Sequence, residues 1–214
     1  MKILITGFEE FGEEAFNPSW EAIKRLPDEV MKCQIIKLQI PTSFNRSWEV
    51  VEHAMELHRP DIILCVGLAG GRPAITPEKV AINLAEARIP DNDGDQPIDQ
   101  VIRPDGETAY FTNLPIKAMV KKMRDAGIQA DVSYTAGTFV CNAIMYHVLH
   151  MVYQSETTMK AGFIHVPYAT EQLEDKPRGT PAMSLDSISH GLLLALEAAI
   201  AQEDAMEFES GTIS

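Results

Sequence analysis

The stretch from Asp61 to Val66 is an almost unbroken apolar run, and a strand of that kind is buried on both faces, which requires helices above and below its sheet. The rest of the chain alternates accordingly. Lys2 to Thr6 reads as a first strand, Pro18 to Leu26 as a helix with proline in its first turn, and Cys33 to Ile40 as a strand. Phe44 to His58 carries Trp48, Val51 and Met55 on one helical face. Ile116, Met119, Val120 and Met123 mark another amphipathic helix, which Gly127 terminates. Ala130 to Tyr134 reads as a short strand, and the helix after it points Val140, Ile144, Val148 and Val152 inward. A strand from Gly162 to Val166 and a helix bearing Leu185, Ile188, Leu192 and Ala199 complete the series, the pattern of a sheet covered on both faces. Lys79 to Ile89 is β-like but irregular and reads as a hairpin or excursion.

With 214 residues and 45% hydrophobic composition, one large core suffices, so residues 1–201 are expected to form a single domain. From Gln202 the chain is acidic with no apolar period and reads as a mobile tail over residues 202–214. Eighteen Lys and Arg against 31 Asp and Glu give a net charge of −13, which argues against nucleic acid and anionic membrane surfaces as partners. No stretch reads as a membrane span or a signal peptide. Cys33, Cys65 and Cys141 are odd in number and widely spaced, with no Cys-x-x-Cys pair, which favours a reducing cytoplasm.

In sheets of this kind, ligands bind beyond the carboxyl ends of the strands. Gly7-Phe-Glu-Glu-Phe-Gly12, Gly67-Leu-Ala-Gly-Gly-Arg72, the turn into the Cys141 helix and His165 all follow expected strands, and parallel strands would bring them to one rim. Cys141 is expected where a strand turns into a helix, and unpaired N–H groups at a helix start favour the thiolate. His165, in Ala161-Gly-Phe-Ile-His-Val-Pro-Tyr168, is the matching acid/base candidate. A packed helix cysteine and a satisfied rim histidine are the alternatives. Glu78, after Thr76-Pro77, has restricted backbone freedom and stands out among many carboxylates as the group to orient an imidazole.

Other residues read as structural. Cys33 and Cys65 lie in expected strands and serve packing. His147 and His150 lack a nearby carboxylate or third ligand at matching spacing, so an exposed helix face or a subunit contact explains them more simply than a metal. Gly67-Leu-Ala-Gly-Gly lacks phosphate-loop spacing and suits close backbone packing instead. Asp91-Asn-Asp-Gly-Asp95 has its glycine fourth rather than sixth, with Ile102 in place of a closing glutamate, and reads as a polar turn.

Five segments together, Gly67 to Arg72, Ile75 to Asn83, Ala87 to Asp91, Ser133 to Asn142 and Phe163 to Tyr168, closely resemble the pyroglutamyl peptidase type I family, the pyrrolidone-carboxylate cysteine peptidases. The similarity runs in order from Met1 to about Ala201. It implies a three-layer α/β/α sandwich with a twisted mixed sheet, phosphorylase/hydrolase-like, assembled as a homotetramer and needing no cofactor. It further implies Cys141 as nucleophile, His165 as acid/base, Glu78 as orienting carboxylate and Arg88 as an aid to the oxyanion. Phe8, Phe11, Asn17, Thr42, Leu68, Ile89, Phe139 and Val140 match the family pocket for the five-membered ring. Leu68 stands where many bacterial members carry glutamine. The implied partners are N-terminally pyroglutamylated peptides.

Two rival readings differ in their chemistry. A nucleoside phosphorylase-like enzyme shares this general architecture but needs a cationic phosphate site, for which Arg72 and Arg88 offer little. A non-catalytic binding protein would use the aromatic pocket with Cys141 inert.

Overall fold

The computed structural model describes residues 1–12, 14–155 and 158–201, so the acidic tail expected over 202–214 lies outside the described residues. Six strands form one mixed sheet in the order β2-β3-β1-β4-β8-β5. They are β1 (Lys2–Phe8), β2 (Glu29–Val30), β3 (Cys33–Ile40), β4 (Ile62–Leu68), β5 (Thr76–Pro77) and β8 (Lys160–Val166). The central four run parallel, and β2 and β5 pair antiparallel at the two ends of the order.

Helices α1 (Pro18–Lys24), α3 (Ile116–Asp125) and α5 (Leu185–Ala201) cover one face, packing Ile23, Met119, Val120 and Leu192 against Ile3, Ile5, Leu64 and Ile164. On the opposite face, α2 (Arg46–His58) and α4 (Val140–Gln154) pack Val51, Met55, Ile144 and Val148 against Leu4, Ile63, Cys65 and Phe163. Alternate residues of β4 and β8 thus feed two separate clusters, which is why these strands read as continuous apolar runs. Burying a side chain such as Phe163, 1% exposed, contributes about 2 kcal/mol. The architecture is the three-layer α/β/α sandwich.

The irregular stretch after Glu78 forms β6 (Val80–Ile82), which pairs antiparallel with β7 (Ala109–Phe111) outside the main sheet. Asn142 ties this excursion to α4, its Oδ1 accepting from the Ile82 N–H at 3.0 Å and its Nδ2 donating to the Ile82 and Leu84 carbonyls. Asp91 is 6% exposed and accepts from the backbone N–H groups of Phe44, Asp93 and Asp95, so Asp91–Asp95 is a polar turn folded about its own first carboxylate.

Two expectations are corrected. Ala130 to Tyr134 forms isolated bridges at Ala130 and Ser133 rather than a buried strand. Ile75 and Lys79 donate to the Gln129 and Ser133 carbonyls, while Asp131 and Ser133 donate back to Ile75 and Pro77. The place between Ile75 and Lys79 in that ladder belongs to Pro77, which has no N–H to give. His147 and His150 are not an exposed face either. His147 stacks on Trp48 at 5.0 Å between centroids, and His150, 5% exposed, has Nδ1 3.0 Å from the Tyr110 hydroxyl. Burial pushes the His147 imidazole down to about 4 and lowers His150 as well.

Among the described residues no helix is long and apolar enough to cross a membrane.

Candidate active site

The site lies at the carboxyl ends of β1, β4 and β8 and at the first turn of α4. Gly67 and His165 are register partners on adjacent parallel strands, so their side-chain directions point to the same face, the one α4 covers. Gly67 has no side chain for a reason: a Cβ there would lie 2.9 Å from the Cys141 sulfur and 2.8 Å from the Phe163 ring. The Cys141 sulfur therefore rests on the backbone of Gly67, one strand away from His165. Glycine also serves at 137, where φ is 78° in the approach to α4, a conformation that strains other residues.

Glu78 enters from the other side of β8. Thr76 pairs with His165 and the Glu78 N–H donates to the Phe163 carbonyl, placing the Glu78 side chain on the same face as the imidazole. Its Oε1 lies 2.6 Å from His165 Nδ1. Glu78 is fully buried and His165 is 4% exposed. With Glu78 as the carboxylate, Nδ1–H donates to it and Nε2 is left with a lone pair. Phe163 packs against the imidazole at 4.7 Å between centroids.

Val140 and Cys141 are the first two helical residues of α4, after Phe139 in extended conformation, and no side chain caps this end. The first N–H groups have no intrahelical acceptor and are positioned to receive negative charge. The thiolate that the helix start favours is opposed by burial of the sulfur. Burial pushes the Cys141 thiol up, to about 12, with the Glu78 carboxylate adding to the rise and the Arg72 guanidinium opposing it. Burial likewise lowers the His165 imidazole from its ordinary value, with Glu78 opposing. Both directions favour the neutral forms, thiol and imidazole. Cys65 is fully buried and pushed up to about 11, and Cys33 is 4% exposed, both as packing residues.

A cavity of about 340 Å³ opens over the Cys141 sulfur. Phe8, Phe11, Asn17, Thr42, Leu68, Phe139 and Val140 line it, together with Glu14, Phe16 and Tyr168, which were not anticipated. Phe11 and Phe44 flank the Phe139 ring at 5.4 and 5.2 Å between centroids. Asn17 spends its Oδ1 as the cap of α1, accepting from the Ser19 N–H and hydroxyl, and donates from Nδ2 to the Glu9 carbonyl. Arg88 and Ile89 are exposed and do not line this cavity, Ile89 being 54% accessible. A larger cavity of about 450 Å³, bordered by Phe44, Asp95, Gln100 and His147, contains no cysteine and none of the three grouped residues.

The arginine found beside Glu78 is Arg72. Its Nη1 donates to Glu78 Oε1 and to the Thr76 hydroxyl, both at 2.7 Å, and its Nη2 donates to the Thr135 carbonyl. Its position was hard to read in sequence because it depends on the turn after β4 folding back over β5. Among the described residues no group of three or more His, Cys, Asp or Glu is placed to hold a metal.

Known proteins share both sequence and shape. The pyroglutamyl peptidase family profile matches residues 1–202. The pyrrolidone-carboxylate peptidase of Enterococcus faecalis is 54% identical over 212 residues, covering 99% of each chain, and that of Clostridium perfringens is 52% identical over the full length of both. The crystal structure of pyroglutamyl peptidase I from Bacillus amyloliquefaciens superposes with a TM-score of 0.93 at 48% identity, covering 97% of this chain and 99% of that one. With a family match over nearly all of its length and relatives above half identity, the chain belongs to the pyroglutamyl peptidase family.

Proposed function

We propose that this protein removes an N-terminal pyroglutamyl residue from peptides, with Cys141 as nucleophile, His165 as acid/base and Glu78 as the carboxylate that orients it. The observation that carries this reading is the ordered contact from the buried Glu78 carboxylate to His165, in register with the glycine on which the Cys141 sulfur rests, under an aromatic cavity. Family membership supports the same reaction.

The chemistry runs in two halves. Nε2 of His165 takes the thiol proton as the sulfur attacks the carbonyl that joins pyroglutamate to the next residue. The resulting oxyanion faces the N–H groups at the start of α4, and one such donor is typically worth about 3 kcal/mol. As the carbon–nitrogen bond breaks, the imidazolium gives its proton to the departing amine, leaving a thioester on Cys141. Water then attacks the thioester, passing a proton to the same imidazole. Pyroglutamate leaves and the thiol regains its proton. Glu78 offsets the positive charge of the imidazolium in both halves.

Selectivity follows from desolvation. The pyroglutamyl ring is uncharged and suits a cavity walled by Phe8, Phe11 and Phe139, whereas a prolyl N-terminus carries an ammonium that would be stripped of water there, the Glu14 carboxylate in the lining being engaged with Lys176 and Gln172. Leu68 adds apolar surface, so polar recognition of the lactam falls to backbone groups and the Asn17 amide. Arg88 and Ile89 enter the reading through the family resemblance, as oxyanion aid and pocket residue. So do the homotetramer, which light scattering of the intact chain checks, and the cytoplasmic location, which suits three unpaired thiols.

The test is a steady-state comparison of pyroglutamyl and prolyl amides bearing the same chromophore. kcat/KM is expected to favour the pyroglutamyl amide by about 100-fold or more. Equal rates would defeat the proposed selectivity.

A further inference from the structure

We infer that Arg72 is a positioning residue of this site, holding the Glu78 carboxylate against Nδ1 of His165 and thereby fixing which ring nitrogen is free to take the Cys141 proton. The inference rests on the peptidase reading for its catalytic consequence, but the geometry stands independently.

Glu78 presents a single oxygen to both of its partners. Oε1 takes the Arg72 guanidinium at 2.7 Å and His165 Nδ1 at 2.6 Å, while Oε2 is buried and has no partner in the structure. The side chain of Glu78 is fully buried and that of Arg72 is 30% exposed, so the guanidinium links the carboxylate to the protein surface. Nη1 also donates to the Thr76 hydroxyl and Nη2 to the Thr135 carbonyl, which fix the guanidinium in one orientation. It thereby joins the turn after β4, the edge strand β5 and the approach to α4, the elements that carry Glu78 and Cys141.

The charged and titratable groups around the imidazole are Glu78 after β5, Arg72 in the turn after β4, and Cys141 on α4, with Cys65 below on β4. With Arg72 present, the Glu78 and Arg72 charges cancel before and after the proton moves from sulfur to imidazole. Without Arg72, a carboxylate removed from water has only the imidazole to compensate it and no second group to hold it in place. Once the carboxylate no longer holds Nδ1–H, the ring proton is free to sit on Nε2, where it blocks transfer from the thiol.

The guanidinium also lowers both the thiol and the imidazole electrostatically, so its removal raises both. Loss of Arg72 therefore shifts the titration of the site upward in pH. A part confined to packing would reduce the amplitude of activity and leave its pH dependence in place.

The experiment compares wild type, Arg72→Gln and Arg72→Lys by two readouts over pH 5 to 10. One is kcat/KM for a chromogenic pyroglutamyl amide, and the other is the rate of Cys141 alkylation by iodoacetamide, which needs no substrate. In Arg72→Gln, kcat/KM at neutral pH should fall by about tenfold or more, and the rise of both profiles should move up by about one pH unit. Arg72→Lys keeps the charge and should retain the wild-type pH dependence, which also controls for misfolding of the glutamine variant. Coincident alkylation profiles in Arg72→Gln and wild type would overturn the inference, as would equal shifts in Arg72→Gln and Arg72→Lys. Failure of wild type to cleave the amide would defeat the peptidase reading instead, and alkylation would still decide the part played by Arg72.

Discussion

Cys141→Ser should reduce kcat/KM for a pyroglutamyl amide by at least about 10³-fold while leaving the circular dichroism spectrum of the folded chain unchanged. The two side chains are nearly the same size, so packing on Gly67 persists, and the loss comes from the nucleophile. A hydroxyl is far less acidic than a thiol, and His165 is already lowered by burial, which makes it a modest base. Proton transfer that is feasible from sulfur becomes unfavourable from oxygen. The N–H groups at the start of α4 and the aromatic cavity remain in Cys141→Ser, so substrate should still bind with a similar KM. Turnover within tenfold of wild type would remove Cys141 as the nucleophile.

Glu78→Gln should lower kcat by about 10²- to 10⁴-fold with little change in KM. The amide keeps the shape of the carboxylate but removes the charge that offsets the imidazolium, and if its NH₂ faces Nδ1 it imposes the wrong tautomer. Glu78 does not line the substrate cavity, which is why binding is spared. The same change leaves the Arg72 guanidinium without its carboxylate partner, so a lower melting temperature should accompany the loss of activity. Thermal unfolding and steady-state kinetics on one preparation separate the two effects. A raised KM at unchanged kcat would place Glu78 in substrate binding instead.

Much of the fold around this site is legible in the residues themselves. Cys33–Ile40 is a strand with the bounds its residues suggested, and the apolar run ending at Val66 is buried on both sides because helices do cover both faces. The proline before Glu78 marks it in the sequence, and in the structure Pro77 sits in the edge strand that aims Glu78 at His165. What sequence could not give depended on tertiary approach. The Cys141 thiol is pushed up first by burial, an effect of tertiary packing that opposes the helix start. Arg72 is six residues from Glu78, yet its contact requires a turn whose fold-back has no periodic signal. The strand expected at Ala130 to Tyr134 failed because its partner contains a proline, a conflict visible only once the pairing is known. His147 and His150 misled for a related reason: a helix clothed by Trp48, Tyr110 and the excursion after β6 buries residues that a surface helix would expose.

The central claim, that the Cys141 sulfur attacks a carbonyl held in this cavity, is tested most directly with a pyroglutamyl chloromethyl ketone. Mass spectrometry of the inactivated protein should show one pyroglutamyl label per chain, located on Cys141, with activity lost in proportion to labelling and protected by free pyroglutamate. A label on Cys33 or Cys65, or full activity retained after stoichiometric labelling of Cys141, would contradict it.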